Sequence, residues 1–361
     1  MMLDQLLRRG NNNADLLRLI AATAVIWGHA YALVPEPGVN EPLRNLLGFD
    51  YSGSLAVKFF FFLSGILVTN SWITKQSAIS FASARIFRIF PLLIVSSLAT
   101  IVIMGPMLTS MSVSEYVHHR GELMQVLSHP YIEYVLPGVF EHALYPQVNG
   151  SIWTIKYELM LYALLLGAGM CGLFRFRLAA AAVLLTVIVV CLIWPDCITA
   201  IGLPNVNKGG QLPAFFAFGS LLALYKERVR IDGRLCVGLV VLALTVRHGP
   251  AFEFVFLPAF FITALWVMSL DIVKSIRLPG DFSYGVYVFG WPLQNTFANI
   301  FPNSGIHGSQ MMTFACALLL AVVSWFLIEK PCIALGHKIP GLLRRRNQSE
   351  DVGARKTTFV R

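Results

Sequence analysis

Arg18 and His29 share one apolar stretch, DLLRLIAATAVIWGHA, and both side chains are ionisable. On a continuous helix rising about 1.5 Å per residue, the imidazole lies roughly 16 Å deeper than the guanidinium. With Arg18 at one membrane interface, His29 falls inside the hydrocarbon zone. An ionisable group there is costly and points to function. The competing reading is an arginine that snorkels to the helix end and a histidine that only hydrogen-bonds a neighbouring helix. Imidazole begins near neutral pH, so a buried copy is suited to moving protons.

Four other groups of residues could join them. Asp15 precedes Arg18 by one helical turn on the same face and can pair with it. Ser64 and Gly65 interrupt the aromatic run FFFFLSG, where small residues permit close helix approach or open space for a ligand. In ARIFRIFP, Arg85 and Arg88 share a helix face. Paired guanidiniums suit phosphate through forked hydrogen bonds, and they equally suit ordinary anchoring of a helix at its basic side. Pro91 is expected in the first turn of that helix, where proline is tolerated. In NGSIWTIKYELMLY, Glu158 lies about two turns into a helix and needs a partner. Lys156 is too close in sequence to face it. Pairing with His29 is geometrically open, as is a structural pair with Lys or Arg. Late in the chain, Asp281 to Pro292 (DFSYGVYVFGWP) reads as an aromatic helix end. Glu329-Lys330-Pro331 reads as a boundary ion pair and a helix stop.

The elements that must carry these residues are transmembrane helices. The chain has 361 residues, 56% of them hydrophobic and 13% charged, with mean hydropathy +0.67. Charged residues make up about 25% of an ordinary soluble domain. The expected fold is therefore all-α, a polytopic helical bundle of about ten spans. They cover 15–34, 55–74, 89–108, 151–172, 178–195, 211–225, 233–247, 251–270, 282–300 and 310–328, most near the roughly 20 residues a bilayer needs, with the sixth and seventh short. The seventh is the weakest, broken by Arg247-His248-Gly249-Pro250. The first reads as a retained helix, because no small-residue cleavage site follows it. Residues 1–340 form the integral domain and 341–361 a basic, disordered tail. Lys and Arg collect in alternate loops, leaving Arg44, Lys58, Arg120, Lys208 and Arg247 for the far side. This predicts both termini in the cytoplasm. The net charge of +9 thus reflects topology and calls for no nucleic-acid partner. Segment 109–150, with His118, His119, His129 and His142, reads as a partly helical extracytoplasmic cap with a solvated surface. Neither it nor the six cysteines has metal-ligand spacing, so no metal and no disulfide framework is expected.

Taken together the motifs resemble the acyltransferase-3 family over nearly the whole chain. The resemblance rests on Asp15, Arg18, Ala21 and His29; on Phe61, Phe62, Ser64 and Gly65; and on Arg85 with Arg88. It rests also on Ser151, Trp153, Thr154 and Glu158, and on Ser283, Tyr284, Tyr287 and Pro292. Two positions depart from the family pattern: Gly290 stands where a histidine is usual, and Lys156-Tyr157 replace a small uncharged pair. The resemblance implies an O-acyltransferase of the bacterial inner membrane. It would move an acyl group, by expectation acetyl, from cytoplasmic acyl-CoA to a hydroxyl of an extracytoplasmic or lipid-linked carbohydrate, with no permanently bound cofactor. It implies His29 and Glu158 as catalytic residues, His29 serving as base or as acyl carrier and Glu158 orienting it. Arg18, Arg85, Arg88 and Ser64 would hold the donor, with Asp15, Trp153, Tyr284 and Tyr287 in support. The alternative is a transporter or flippase of lipid-linked glycans, since buried ionisable groups also suit a proton-coupled path. Internal duplication would favour it, and none is evident.

Overall fold

The computed structural model describes residues 1–8 and 10–342, and helices dominate it. The tail assigned to 341–361, with its Arg344–346 run, lies from residue 343 onward outside the described residues, as does Arg9. Among the described residues no strand forms, and a single isolated bridge joins Met2 to Arg230.

Each of the ten apolar segments is helical. They are α1 (Ala14–Leu33), α2 (Ser52–Lys75), α3 (Ala78–Ala99), α4 (Ile155–Met170), α5 (Arg177–Ile193), α6 (Leu212–Leu224), α7 (Gly233–Thr245), α8 (Phe252–Val267), α9 (Ser283–Ile300) and α10 (Gly305–Ser324). On length and composition four helical stretches can cross a membrane: Ala14–Leu33, Ser52–Lys75, Ala78–Leu108 and Pro302–Leu342. A fifth qualifies if the bent pair Arg177–Ile193 and Pro195–Ile201 is one span. Segment 109–150 folds into two short helices, Val113–His118 and Arg120–Ser128, and turns around a small core of Tyr116, Leu123, Val126 and Val148.

Local chemistry sets the helix ends. The Asn13 side chain accepts from Leu16 N–H at 3.1 Å and caps α1, satisfying a donor that has no partner inside the helix. Gln76, at φ 46°, closes α2, and the Ser77 hydroxyl then caps α3. Arg85 and Arg88 therefore lie well inside α3, and Pro91 is a mid-helix proline. The expectation that the helix begins near residue 89 is corrected by this cap.

A second correction concerns the end of the chain. Glu329-Lys330-Pro331 does not stop the last helix, which runs on to Leu342. A π turn over Trp325–Glu329 precedes the proline, with Lys330 N–H reaching back to Trp325 O. That wider turn relaxes the clash a proline ring makes with the carbonyl of the preceding turn. The same device extends α3: a π turn over Thr100–Met104 sits immediately before Gly105-Pro106.

The centre of the bundle is α2, which packs on α1 and α6, while α9 packs on α1 and α10. The α2–α6 seam depends on glycine. A Cβ at Gly65 would lie 2.0 Å from Phe216 O, and one at Gly219 would lie 2.1 Å from Phe62 O. Across the same seam Thr69 and Ser220 hydroxyls hydrogen-bond at 2.8 Å. Gly65 thus serves helix packing.

Lys58, expected in a far-side loop, is instead inside α2 and 1% exposed. Its Nζ donates to Asp50 Oδ2 at 2.5 Å and lies 3.8 Å from Glu253 Oε1. Two carboxylates make that burial tolerable for an ammonium.

Candidate active site

Helix α1 contributes to two separate cavities. Arg18, one turn from its start, lines a basic cavity of about 120 Å³. His29, near its other end, lines an aromatic cavity of about 490 Å³. The axial separation read from the spacing is thus realised as a difference of compartment.

The basic cavity gathers most of the residues singled out by their chemistry. Arg18 comes from α1, Ser64 from α2, Arg85 and Arg88 from α3, Glu158 and Tyr162 from α4, and Tyr284 and Tyr287 from α9. The two α3 arginines have different surroundings. Arg88 donates to Asp281 Oδ2 at 2.7 Å and to Glu329 Oε2 at 2.9 Å, and its guanidinium stacks over Tyr284 and Trp325. Among the described residues Arg85 makes no ion pair and its buried Nε has no hydrogen-bond partner; its guanidinium lies 5.7 Å from the Tyr162 ring centre.

Asp281 organises the basic side. Its Oδ2 takes both Arg88 and, at 3.1 Å, Arg18. Its Oδ1 accepts the Ser283 hydroxyl at 2.5 Å and the Ser283 N–H at 3.3 Å. Arg18 also reaches Asp15, its expected partner, at a longer 3.6 Å. Glu329, 1% exposed, completes the set by accepting from Arg88 and, at 3.1 Å, from Ser324. Asp281 and Glu329 were not counted as site residues in the sequence, where they read as a helix end and a boundary pair. The signal available was the general one: a carboxylate flanked by apolar residues must have a cationic partner.

Glu158 and His29 are not brought together. Glu158 accepts a short hydrogen bond from the Tyr162 hydroxyl and lies within electrostatic reach of Arg85, Arg88 and Arg18. No hydrogen bond joins it to His29 among the described residues. His29 instead meets the edge of Trp291, ring centres 4.8 Å apart and planes at 79°. Trp291 is fixed by donating Nε1–H to Gln147 O at 3.0 Å and by lying against Gly150, where a Cβ would come within 2.6 Å of the indole. Trp153, Tyr51, Tyr145 and Lys58 line the same cavity. Gly290, at the position where a histidine is usual, faces Ile26: a Cβ there would lie 3.0 Å from Ile26 Cγ1. A larger side chain there would require the Ile26 side chain to shift. Lys156 projects over the Tyr157 ring.

Apolar helices that enclose an arginine-rich cavity and a histidine-bearing one define a membrane protein with ionisable groups at its centre. The family model described as an acyltransferase domain matches residues 11–330. The chain belongs to this family, acyltransferase-3, and is an acyltransferase. It is 29% identical to an O-acetyl transferase of Shigella phage Sf6, over 89% of this chain and 95% of that protein. It is 31% identical to nodulation protein 10 of Rhizobium leguminosarum bv. viciae, over 90% of this chain and 94% of that one. No solved structure matches the chain.

Proposed function

We propose that the protein is an O-acyltransferase of the bacterial inner membrane that takes an acyl group from cytoplasmic acyl-CoA and delivers it to a hydroxyl of an extracytoplasmic or lipid-linked carbohydrate. The observation that carries this reading is the division of α1 between the two cavities, Arg18 in the basic one and His29 in the aromatic one. The basic cavity receives the phosphate-bearing end of the donor. Arg85, whose buried Nε has no hydrogen-bond partner among the described residues, makes the principal contact. Arg18 and Ser64 line the same space. The aromatic cavity receives the acceptor, whose sugar faces suit the Trp153 and Trp291 rings. Acetyl is the proposed acyl group, supported by the name of the phage relative. The proposed topology keeps ten spans and both ends cytoplasmic, supported by the asymmetry of Lys and Arg between loops.

His29 acts as general base. The acceptor oxygen attacks the thioester carbonyl, a C–O bond forms, and the C–S bond breaks. The hydroxyl proton passes to His29 and from it to the departing thiolate. Glu158 is a positioning residue for the arginines of the donor cavity, supported by its bond to Tyr162 and its proximity to Arg85.

Purified protein in detergent, supplied with radiolabelled acetyl-CoA and a glycolipid extract of bacterial membranes, should release free thiol and label the glycolipid in equal amounts. A transporter or flippase would do neither, and that result would remove the proposal.

A further inference from the structure

Cys191 lies in the last turn of α5, and Cys197 lies in the 3₁₀ helix Pro195–Ile201 that follows it. Were α5 to continue straight, six further residues would carry Cys197 about 9 Å along the axis and onto another face. That is why their spacing suggests no bridge. The chain instead bends by 109° between the two helices. Pro195 keeps the preceding Trp194 out of the helical region, at φ −130° and ψ 74°, and the turn folds Cys197 back onto α5. The two sulfurs are 3.9 Å apart. Cys191 is buried and Cys197 partly exposed. The corner is pinned further along the chain. Asn205 donates to Asp196 Oδ1 at 2.7 Å and accepts from Gly210 N–H at 2.9 Å, and the Tyr157 hydroxyl donates to Pro204 O. Val206, Asn207 and Lys208, which come next, line the aromatic cavity beside Tyr145 and Gln147.

We propose that Cys191 and Cys197 form a disulfide that staples this corner at the extracytoplasmic end of α5. This rests on the topology proposed above, which places that end in a compartment where disulfides form and persist. The oxidant is a disulfide-carrying exchange protein of that compartment. Cys197, the more accessible thiol, attacks one sulfur of the exchanger's disulfide as its thiolate. A mixed disulfide forms and one exchanger thiol is released. The Cys191 thiolate then attacks the Cys197 sulfur, the internal S–S bond forms, and the exchanger leaves as its dithiol. Two protons and two electrons pass from the cysteines to the exchanger, so the exchange balances. It belongs to folding, before α4 and α6 close around the buried Cys191. The bond closes a short loop around the bend and so steadies the segment that walls the aromatic cavity.

No lysine or arginine falls between Arg177 and Lys208, so trypsin releases both cysteines, and no other, in the one peptide 178–208. Bacteria expressing the full-length protein are quenched in acid, and the protein is denatured, treated with N-ethylmaleimide without reductant, and digested. Mass spectrometry should find the peptide unlabelled and lighter by two hydrogens than its reduced form, and carrying two labels only when reduction precedes the maleimide. One or two labels without reduction would overturn the pairing. Labelling of Gln147→Cys in a cysteine-free background then separates the causes. Reaction from outside the cell leaves the topology standing and the disulfide refuted; reaction only after lysis removes the topology and the disulfide with it. Cys191→Ser and Cys197→Ser should each lower Tm in detergent by the same amount, and the double variant no further, because all three lose one bond. Decreases that add would show two independent thiols and contradict the staple.

Discussion

The Arg88 guanidinium donates to the Asp281 carboxylate at 2.7 Å, joining α3 to the segment that opens α9 across 193 positions of sequence. The same oxygen receives Arg18. One carboxylate therefore sets the position of two cations on two other helices, and the shape of the basic cavity depends on it.

Asp281→Ala should accordingly be among the most damaging single changes outside the reacting groups. It leaves Arg88 with Glu329 alone and Arg18 with only its longer pair to Asp15, and breaking a buried pair from one side costs up to about 3–5 kcal/mol. Thermal unfolding in detergent should show a clear drop in Tm, larger than that for Asp15→Ala, since Asp15 is exposed and its bond to Arg18 is longer. Equal, small effects for the two would mean that Asp281 does not organise the site.

The two arginines of α3 should separate by phenotype. Arg85→Ala should weaken coenzyme A binding by roughly tenfold to a hundredfold, the equivalent of about 1.5–3 kcal/mol for a charge-assisted hydrogen bond, with little change in Tm. Arg88→Ala should lower Tm, because it leaves Glu329 buried without its cation and Asp281 with Arg18 alone. Isothermal titration alongside unfolding curves distinguishes them. Identical profiles would contradict the division of labour.

The separation of Glu158 from His29 gives a third expectation. Glu158→Gln should raise the KM for the acyl donor and leave the pH profile of kcat in place, because the carboxylate stands with the donor's arginines. A shift of the profile, or a loss as complete as that at His29, would return Glu158 to the role of the histidine's partner.

Much of this site was legible because polar side chains stand out against an apolar background. Arg18, Ser64, Arg85, Arg88 and Glu158 stand out by type and spacing and Tyr284 and Tyr287 through the family resemblance, and the structure collects all of them around one cavity. Helical spacing gives depth along one axis and says nothing of which neighbours a side chain meets. That is why His29 and Glu158, at compatible depths, could be matched on paper and yet line different cavities. Asp281 and Glu329 were hidden for the same reason: their partner lies far away in sequence on α3. The helix-stopping value of Glu329-Lys330-Pro331 was overestimated because a π turn, which has no sequence signature of its own, lets that helix continue, and Pro91 was placed in a first turn because the cap at Ser77 lies outside the apolar run. Lys58 read as a loop cation because its carboxylate partners, buried Asp50 and partly exposed Glu253, belong to other elements.

The proposed topology has its own check. Gln147 and Gln76 lie in segments assigned to opposite sides of the membrane. In a background stripped of the six native cysteines, Gln147→Cys should react with an impermeant maleimide from outside the cell and Gln76→Cys only after lysis. Reaction of both from outside would overturn the arrangement.

The central claim is that His29 takes the acceptor's proton, and the most direct measurement is acyl transfer by His29→Gln. Glutamine preserves hydrogen bonding and approximate size but accepts no proton at neutral pH and forms no acyl-imidazole. The account predicts a variant that folds, binds coenzyme A at wild-type strength through the separate basic cavity, and transfers no acyl group above background. Turnover of the glutamine variant at the wild-type rate would show that His29 is a packing residue beside Trp291 and that the mechanism is wrong.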